Sequence, residues 1–377
     1  MQLSIDDYAA RFHEEPGYLD FAAVGPIGDT VRGETDAFQS LLAGGRFGSL
    51  APMFEQHDRV RSAVSALTGF RAEQIAFQAN TSQGLMHALF GLTGGVALSP
   101  AEFPSLTFAA VRAQQALGVV APQWLDTDHG HVTPGNIRDQ LTPATVAVAV
   151  SLVDFRTGHL VDLEGIRQVI GDRLLIVDAI QGFGVVDAPY GVADVVATGG
   201  QKWVRSGWGT GFLALSDRAL EHLTPVWSGF TGTADDGLPL DGVLSPAGDA
   251  RAYSVSNPDP LAMARFAAAL EELAEVGVPQ VNAALARRVS EVIDIADEFA
   301  LPVVSPRAEN QRAGIVVIEP DADQLTALAA ALHNHGVSAT VRGGRVRLAP
   351  HVSTDAESFA MLRAALLSFA TASAQLR

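Results

Sequence analysis

The sequence contains no cysteine. A disulfide framework, a thiolate metal site and a cysteine nucleophile are excluded at once. Positive charge is also in short supply: 25 Lys and Arg face 42 Asp and Glu, a net charge of −17. An acidic surface of that size repels phosphate backbones and anionic headgroups, so neither a nucleic-acid nor a membrane-surface role is expected. Long apolar runs are missing too, none reaching the roughly 18 residues a spanning helix needs. The opening MQLSIDDYAARFHEEPGY lacks the basic segment and apolar stretch of a signal peptide, and the expected location is cytoplasmic. Clustered metal ligands are absent as well. The pairs His129/His131 and His333/His335 have no supporting set, so no metal site is expected.

What the sequence does have is apolar bulk. Of 377 residues 48% are hydrophobic and 18% charged, enough for a large buried core and more than one domain. Short apolar runs (QIAFQ, GVALS, TVAVAVSL, RLLIVDA, DVVATG, GFLALS) alternate with helix-period stretches between about 54 and 215. That alternation predicts a mainly parallel sheet covered by helices. Residues 57–68 read as an amphipathic helix closed by Gly69, and 82–92 as a second helix entered at Asn80-Thr81-Ser82. The stretch 216–256, rich in Gly, Pro and Asp, reads as a long functional loop. Beyond it, helical pattern over 260–300 gives way to a β-α-β-β-α tail that reads as a smaller α/β domain.

Two charged residues stand out against this frame. In LLIVDAIQGFGVVD (174–187) an apolar strand ends in Asp178, and ligands of open α/β sheets bind at the carboxyl ends of strands. A carboxylate there serves either to pair with a cationic ligand group or to cap the next helix. In DVVATGGQKWVRSGWGTGFLAL, Lys202 follows a strand and a Gly-Gly pair, flanked by Trp203 and Trp208. It is either a solvated loop charge or a desolvated amine suited to Schiff-base chemistry.

A strand-end Asp followed about two dozen residues later by a Gly-flanked Lys is the pattern of pyridoxal phosphate enzymes, in which the ring acts as an electron sink. VDAIQGFG and TGGQKWVRSGWGTGFLAL resemble the class V aminotransferase family, whose members include cysteine desulfurases, isopenicillin N epimerase-like proteins, carbon–sulfur lyases and kynureninases. The resemblance runs over nearly the whole chain. It implies a fold-type I α/β enzyme with a large domain built on a mainly parallel seven-stranded-type sheet and a smaller C-terminal α/β domain. Residues 20–256 would form the first and 257–377 the second, with segment 1–19 packing on the latter.

The resemblance makes Lys202 the Schiff-base lysine, Asp178 the pyridinium partner and Gln181 a partner of the ring hydroxyl. Thr81 and Ser82, at a helix N-terminus suited to anions, and Gln201 are expected at the cofactor phosphate, with Thr198 and Gly199 as further candidates. Phe103 in AEFPSLTF stands where the family stacks a ring over the pyridine. Phe230, Thr231 and Asn257, in PVWSGFTGT and SVSNP, become cofactor contacts across a homodimer interface. Arg347 in VRGGRVRLAPH matches the arginine that binds the substrate carboxylate in a two-pronged hydrogen bond, with Arg342 as a further possibility. Asp154 and Arg156 in VDFRTG are placed near the substrate side chain.

The reaction expected from this likeness is α-proton chemistry on a small amino acid, ending in transamination or β-elimination. Because the family's desulfurases use a mobile cysteine as sulfur acceptor, the missing cysteine argues that the protein is not a cysteine-persulfide desulfurase. A kynureninase-like hydrolase or a carbon–sulfur lyase is the alternative. The former is weakened by Leu106, Gln181 and Thr233, which stand where kynureninases tend to have Asp, His and His. A non-catalytic cofactor-binding protein of the same fold is disfavoured by the joint presence of Lys202, Asp178 and Arg347.

Overall fold

The structure, a computed structural model, describes residues 3–48, 50–127, 130–235, 240 and 242–375. Among the described residues seven strands form the main sheet: β1 (Ile75–Phe77), β2 (Gly94–Leu98), β3 (Val120–Trp124), β4 (Thr145–Ser151), β5 (Leu174–Asp178), β6 (Val195–Gly199) and β7 (Gly211–Leu215). Their order across the sheet is β1-β7-β6-β5-β4-β2-β3. The run β3-β2-β4-β5-β6 is parallel, and β7 and β1 join antiparallel. The central strands are apolar throughout because both faces are covered. Along β4, Ala147 and Ala149 face a layer built on helices Thr81–Phe90 and Pro104–Leu117, while Val148 and Val150 face the larger core on the other side.

Six of the seven strands coincide with the apolar runs of the sequence. β3 does not stand out there. It lies at the sheet edge and is only partly buried, and it carries Pro122, tolerated where no neighbour needs a further ladder bond. Helix Gln56–Thr68 ends at Gly69 in the left-handed conformation (φ 79°). Helix Thr81–Phe90 opens with the Asn80 side chain accepting from the Gln83 backbone N–H at 2.9 Å. The 216–256 stretch is not loop throughout, since Ser216 caps a short helix, Asp217–His222, that follows β7.

A second sheet holds β8 (Val316–Ile318), β9 (Thr340–Arg342) and β10 (Arg345–Leu348) in the antiparallel order β8-β10-β9. Helices Leu325–Asn334 and Ala356–Gln375 pack together beside it. The start of the chain is tied to this region: Leu19 N donates to Ser338 O and Phe21 N to Ala349 O, each at 3.2 Å. The long helix Pro260–Val276 packs on Gln56–Thr68 and on Asp29–Gly44. Among the described residues no helix is long and apolar enough to cross a membrane.

Candidate active site

The site lies at the carboxyl ends of β4, β5 and β6. Lys202 follows β6 in a turn closed by Gly200 N donating to Thr210 O and Ser206 N donating to Gly200 O, both at 2.8 Å. Gly25 N, from the N-terminal segment, donates to Gln201 O at 2.8 Å and holds the turn from the other side. Burial pushes the Lys202 ammonium down to about 8, against the opposing pull of Asp178. Lys202 is also the single lysine of the chain; every other Lys/Arg cation is arginine. That singularity is readable in the sequence and points to the residue without any spacing argument.

Asp178 ends β5. One oxygen accepts from Ile180 N at 3.0 Å, whereas Oδ2 is buried without a partner among the described residues. Burial raises its carboxyl to about 6, with the Ile180 N–H and Lys202 pulling the other way. An orphaned buried carboxylate oxygen is costly unless a cationic or N–H group meets it, and a protonated ring nitrogen is such a group. The Phe103 ring centroid lies 5.5 Å from Lys202 Nζ and meets Phe155 edge-on at 5.1 Å. The Gln181 amide is used at both ends, accepting from Trp203 Nε1 at 2.9 Å and donating to Ala22 O at 3.0 Å. One of its N–H bonds is left for a ligand oxygen.

Thr81, first in helix Thr81–Phe90, has a buried hydroxyl with no partner among the described residues. A Cβ added at Gly199 would come within 2.4 Å of Gln201 Oε1 and 3.2 Å of Thr81 Oγ1, so these two polar ends converge on the glycine. Ser82 is engaged with Ser105 at 2.7 Å, and Thr198 donates to Gly199 O at 3.4 Å. A glycine-flanked cup with an unpartnered hydroxyl at a helix N-terminus fits a phosphate. Lys202, Asp178 and this cup together fit pyridoxal phosphate.

Arg347, on β10, reaches across from the second sheet. It donates to Phe155 O at 3.3 Å, to Thr340 Oγ1 at 3.1 Å and to Asp20 Oδ1 at 3.4 Å, and its Nε is buried without a partner. These long bonds leave the guanidinium able to take a carboxylate in its fork. Asp154 is occupied within its own turn, accepting from Arg156 N at 3.0 Å and Thr157 Oγ1 at 2.8 Å. Arg156 lies over the Phe155 ring at 5.8 Å. Arg342 is exposed on β9. Among the described residues no hydrogen bond or ring contact joins Phe230, Thr231 or Asn257 to this cluster. The Phe230 ring is 43% exposed, the Thr231 hydroxyl is buried without a partner, and Asn257 lines a separate cleft with His57, Gln83 and Gly209.

Three elements of the site escape a reading of the sequence. Asp20 braces Arg347 and bonds Thr340 from the far end of the chain. Glu102, beside Phe103, bonds Ser151 at the end of β4. The wholly buried Arg205 pairs with Glu14 and bonds Ser353 at 2.8 Å and His351 Nδ1 at 3.1 Å. Partners so far apart in sequence leave no local signal. Of the histidine pairs, His129 lies outside the described residues; among the described ones no group of three His, Asp or Glu side chains converges as a metal site.

The sequence matches the aminotransferase class-V family over residues 26–375. No curated protein shows significant similarity to it. Among solved structures, the apo cysteine desulfurase from Thermococcus onnurineus NA1 aligns with a TM-score of 0.81 at 20% identity, covering 96% of this chain and 94% of that one. The cystine C–S lyase C-DES, in complex with its reaction product cysteine persulfide, gives 0.83 at 18%, covering 93% and 97%. The Escherichia coli cysteine desulfurase CsdA gives 0.80 at 18%, covering 99% of each chain. The architecture is that of fold-type I pyridoxal phosphate enzymes, as the resemblance implied.

These neighbours correct one expectation. The missing cysteine predicts a chain set apart from cysteine-persulfide desulfurases, yet the solved structures it resembles are cysteine desulfurases and a cystine C–S lyase. The physical reason lies in where the sulfur goes. A chain without cysteine has no thiol of its own to accept sulfur, but a persulfide that leaves as product, as in the C-DES complex, needs none. The absence bears on the acceptor and not on the bond that breaks.

Proposed function

The chain belongs to the class-V aminotransferase family, and from that premise we propose that it removes the α-proton of an α-amino acid and expels a sulfur-bearing β-substituent. Its cofactor is pyridoxal 5'-phosphate, which when bound supplies an electron sink for the charge left at Cα. The observation that carries the reading is the meeting of the sole lysine, an orphaned Asp178 oxygen and the Arg347 fork in one buried site.

In this reading Lys202 Nζ holds the cofactor and then takes the proton from Cα, a task suited to an amine that burial keeps near neutrality. Asp178 Oδ2 keeps the ring nitrogen protonated. Gln181 donates to the ring hydroxyl, and Thr81, Gln201 and the start of helix Thr81–Phe90 take the phosphate. Phe103 covers the ring and keeps water from its face. Arg347 binds the substrate carboxylate, with Asp20 steadying the guanidinium. When the Cβ–S bond breaks, the sulfur leaves with the electron pair and takes up a proton, and the released enamine hydrolyses to an oxo acid and ammonia.

Phe230, Thr231 and Asn257 act in this scheme on the site of a second copy. The half-exposed Phe230 and Val255 and the exposed Trp208 support a homodimer interface on this face. We read residues 20–256 and 257–377 as the two domains, with 1–19 packed on the second.

Incubating the purified holoenzyme with a panel of amino acids that includes cysteine and cystine, without an oxo-acid acceptor, tests the reading. Sulfide or persulfide released together with ammonia is the expected result. Accumulation of the aminated cofactor without ammonia would make the enzyme a transaminase instead.

A further inference from the structure

We propose that Glu102 is a positioning residue for the ring-nitrogen end of the site: through Ser151 it fixes the end of β4 that adjoins Asp178. This inference rests on the reading of Asp178 as partner of the ring nitrogen.

Glu102 immediately precedes Phe103, the residue over Lys202. Its Oε2 accepts from both the backbone N–H of Ser151, at 3.2 Å, and the Ser151 hydroxyl. Ser151 is the last residue of β4 and the register partner of Asp178, the last residue of β5. Neighbouring strands run about 5 Å apart, so Glu102 grips the strand end adjoining Asp178 while its own backbone carries Phe103. One side chain thereby sets the spacing between the covering ring and the strand end beneath it.

The charges around Glu102 favour its proton. The groups facing it are Asp178 and Asp154, both anions, with Arg156, His131 and His159 lining the same small cleft. Arg156 is turned to Asp154, and the rings of His131 and His159 stack on each other at 4.4 Å. Burial first, then Asp178 and Asp154, push the Glu102 carboxyl up to about 7, against the Ser151 bonds. Glu102 and Asp178 are two acids on either side of Ser151, and a charge on one opposes ionisation of the other. A charge on Glu102 drives the proton of the pair towards Asp178, which must stay ionised to meet a protonated ring nitrogen.

Glu102→Gln keeps an acceptor for Ser151 and removes the ionisation; Glu102→Ala removes both. The readouts are the dissociation constant of pyridoxal phosphate from apoenzyme and the pH titration of holoenzyme absorbance, with far-UV circular dichroism checking that each variant is folded. At about pH 6, where the wild-type acid is neutral, Glu102→Gln is expected to hold the cofactor within about threefold of wild type and Glu102→Ala to lose about tenfold, near the worth of a hydrogen bond to a buried acid. Between about pH 6 and 8 the wild-type absorbance shifts and that of Glu102→Gln does not.

The proposal is overturned if Glu102→Gln binds as weakly as Glu102→Ala, or if Glu102→Ala binds like wild type. It is equally overturned if the wild-type and Glu102→Gln absorbances run together across that range. Asp178→Asn separates the two levels of the argument. If it leaves holoenzyme absorbance unchanged, the ring-nitrogen reading fails and carries this inference with it. If it alters the absorbance while Glu102→Gln behaves as wild type across the titration, only the role of Glu102 fails.

Discussion

At the scale of single residues the chemistry turns on how burial moves protons. An ordinary lysine near 10.5 is almost wholly protonated in neutral water, and a protonated amine cannot attack the cofactor aldehyde. Lys202, lowered to about 8 by burial, loses its proton as pH rises through that value. The rate at which apoenzyme takes up pyridoxal phosphate covalently is therefore expected to climb up to about pH 8 and level off above it; stopped-flow absorbance would show a climb continuing past pH 10 if Lys202 were not depressed. Because the chain has no other lysine, Lys202→Ala should abolish borohydride fixation of the cofactor outright, with mass spectrometry finding no labelled peptide. Arg347→Ala removes a charged fork from the substrate carboxylate. KM for amino acids should rise roughly ten- to a hundredfold while cofactor affinity stays within a few fold, and an unchanged KM would move the carboxylate site elsewhere.

At the scale of elements, the turn carrying Lys202 is shaped from outside. Arg205 in it adopts a left-handed φ of 58°, unusual for a residue with a side chain, and its N–H donates to Lys202 O at 3.1 Å. The conformation persists because the segment 20–26 lies against the turn: a Cβ at Gly25 would stand 1.9 Å from Lys202 O. Gly25→Ala must push the two apart. Cofactor affinity should fall at least about tenfold with far-UV circular dichroism unchanged, a loss comparable to misplacing a reacting group by an ångström; retained affinity would show that the turn holds its shape unaided.

At the scale of the whole molecule, Arg205 joins what the chain separates. Its guanidinium lies 3.7 Å from the Phe12 ring centroid, pairs with Glu14, donates to His351 Nδ1 and Ser353 Oγ beyond β10, and donates to the carbonyl of Pro26. N-terminal segment, lysine turn and C-terminal region meet on one buried cation. Burial holds His351 well below its usual range, and Arg205 lowers it further, so the ring is neutral and its Nδ1 can accept. Glu14→Ala would leave the cation without its carboxylate, at a cost of about 3–5 kcal/mol in urea unfolding; a loss under about 1 kcal/mol, the worth of an exposed pair, would show that the remaining partners suffice.

What the sequence determined by itself is what local pattern encodes. Six strands of the main sheet are legible as apolar runs because burial on both faces demands uninterrupted apolar residues, and Gly69 and Asn80 mark helix ends through their own backbone and side-chain geometry. Asp178 and Lys202 are legible because the first ends such a strand and the second closely follows one. Only the tertiary structure decided the rest. The partly buried edge strand β3 shows no such run, and the braces Asp20–Arg347, Glu102–Ser151 and Glu14–Arg205 pair residues whose meeting depends on how strands and segments stack. A carboxylate's partner tens to hundreds of residues away leaves no periodicity, since the contact is made by packing and not by the chain that leads to it.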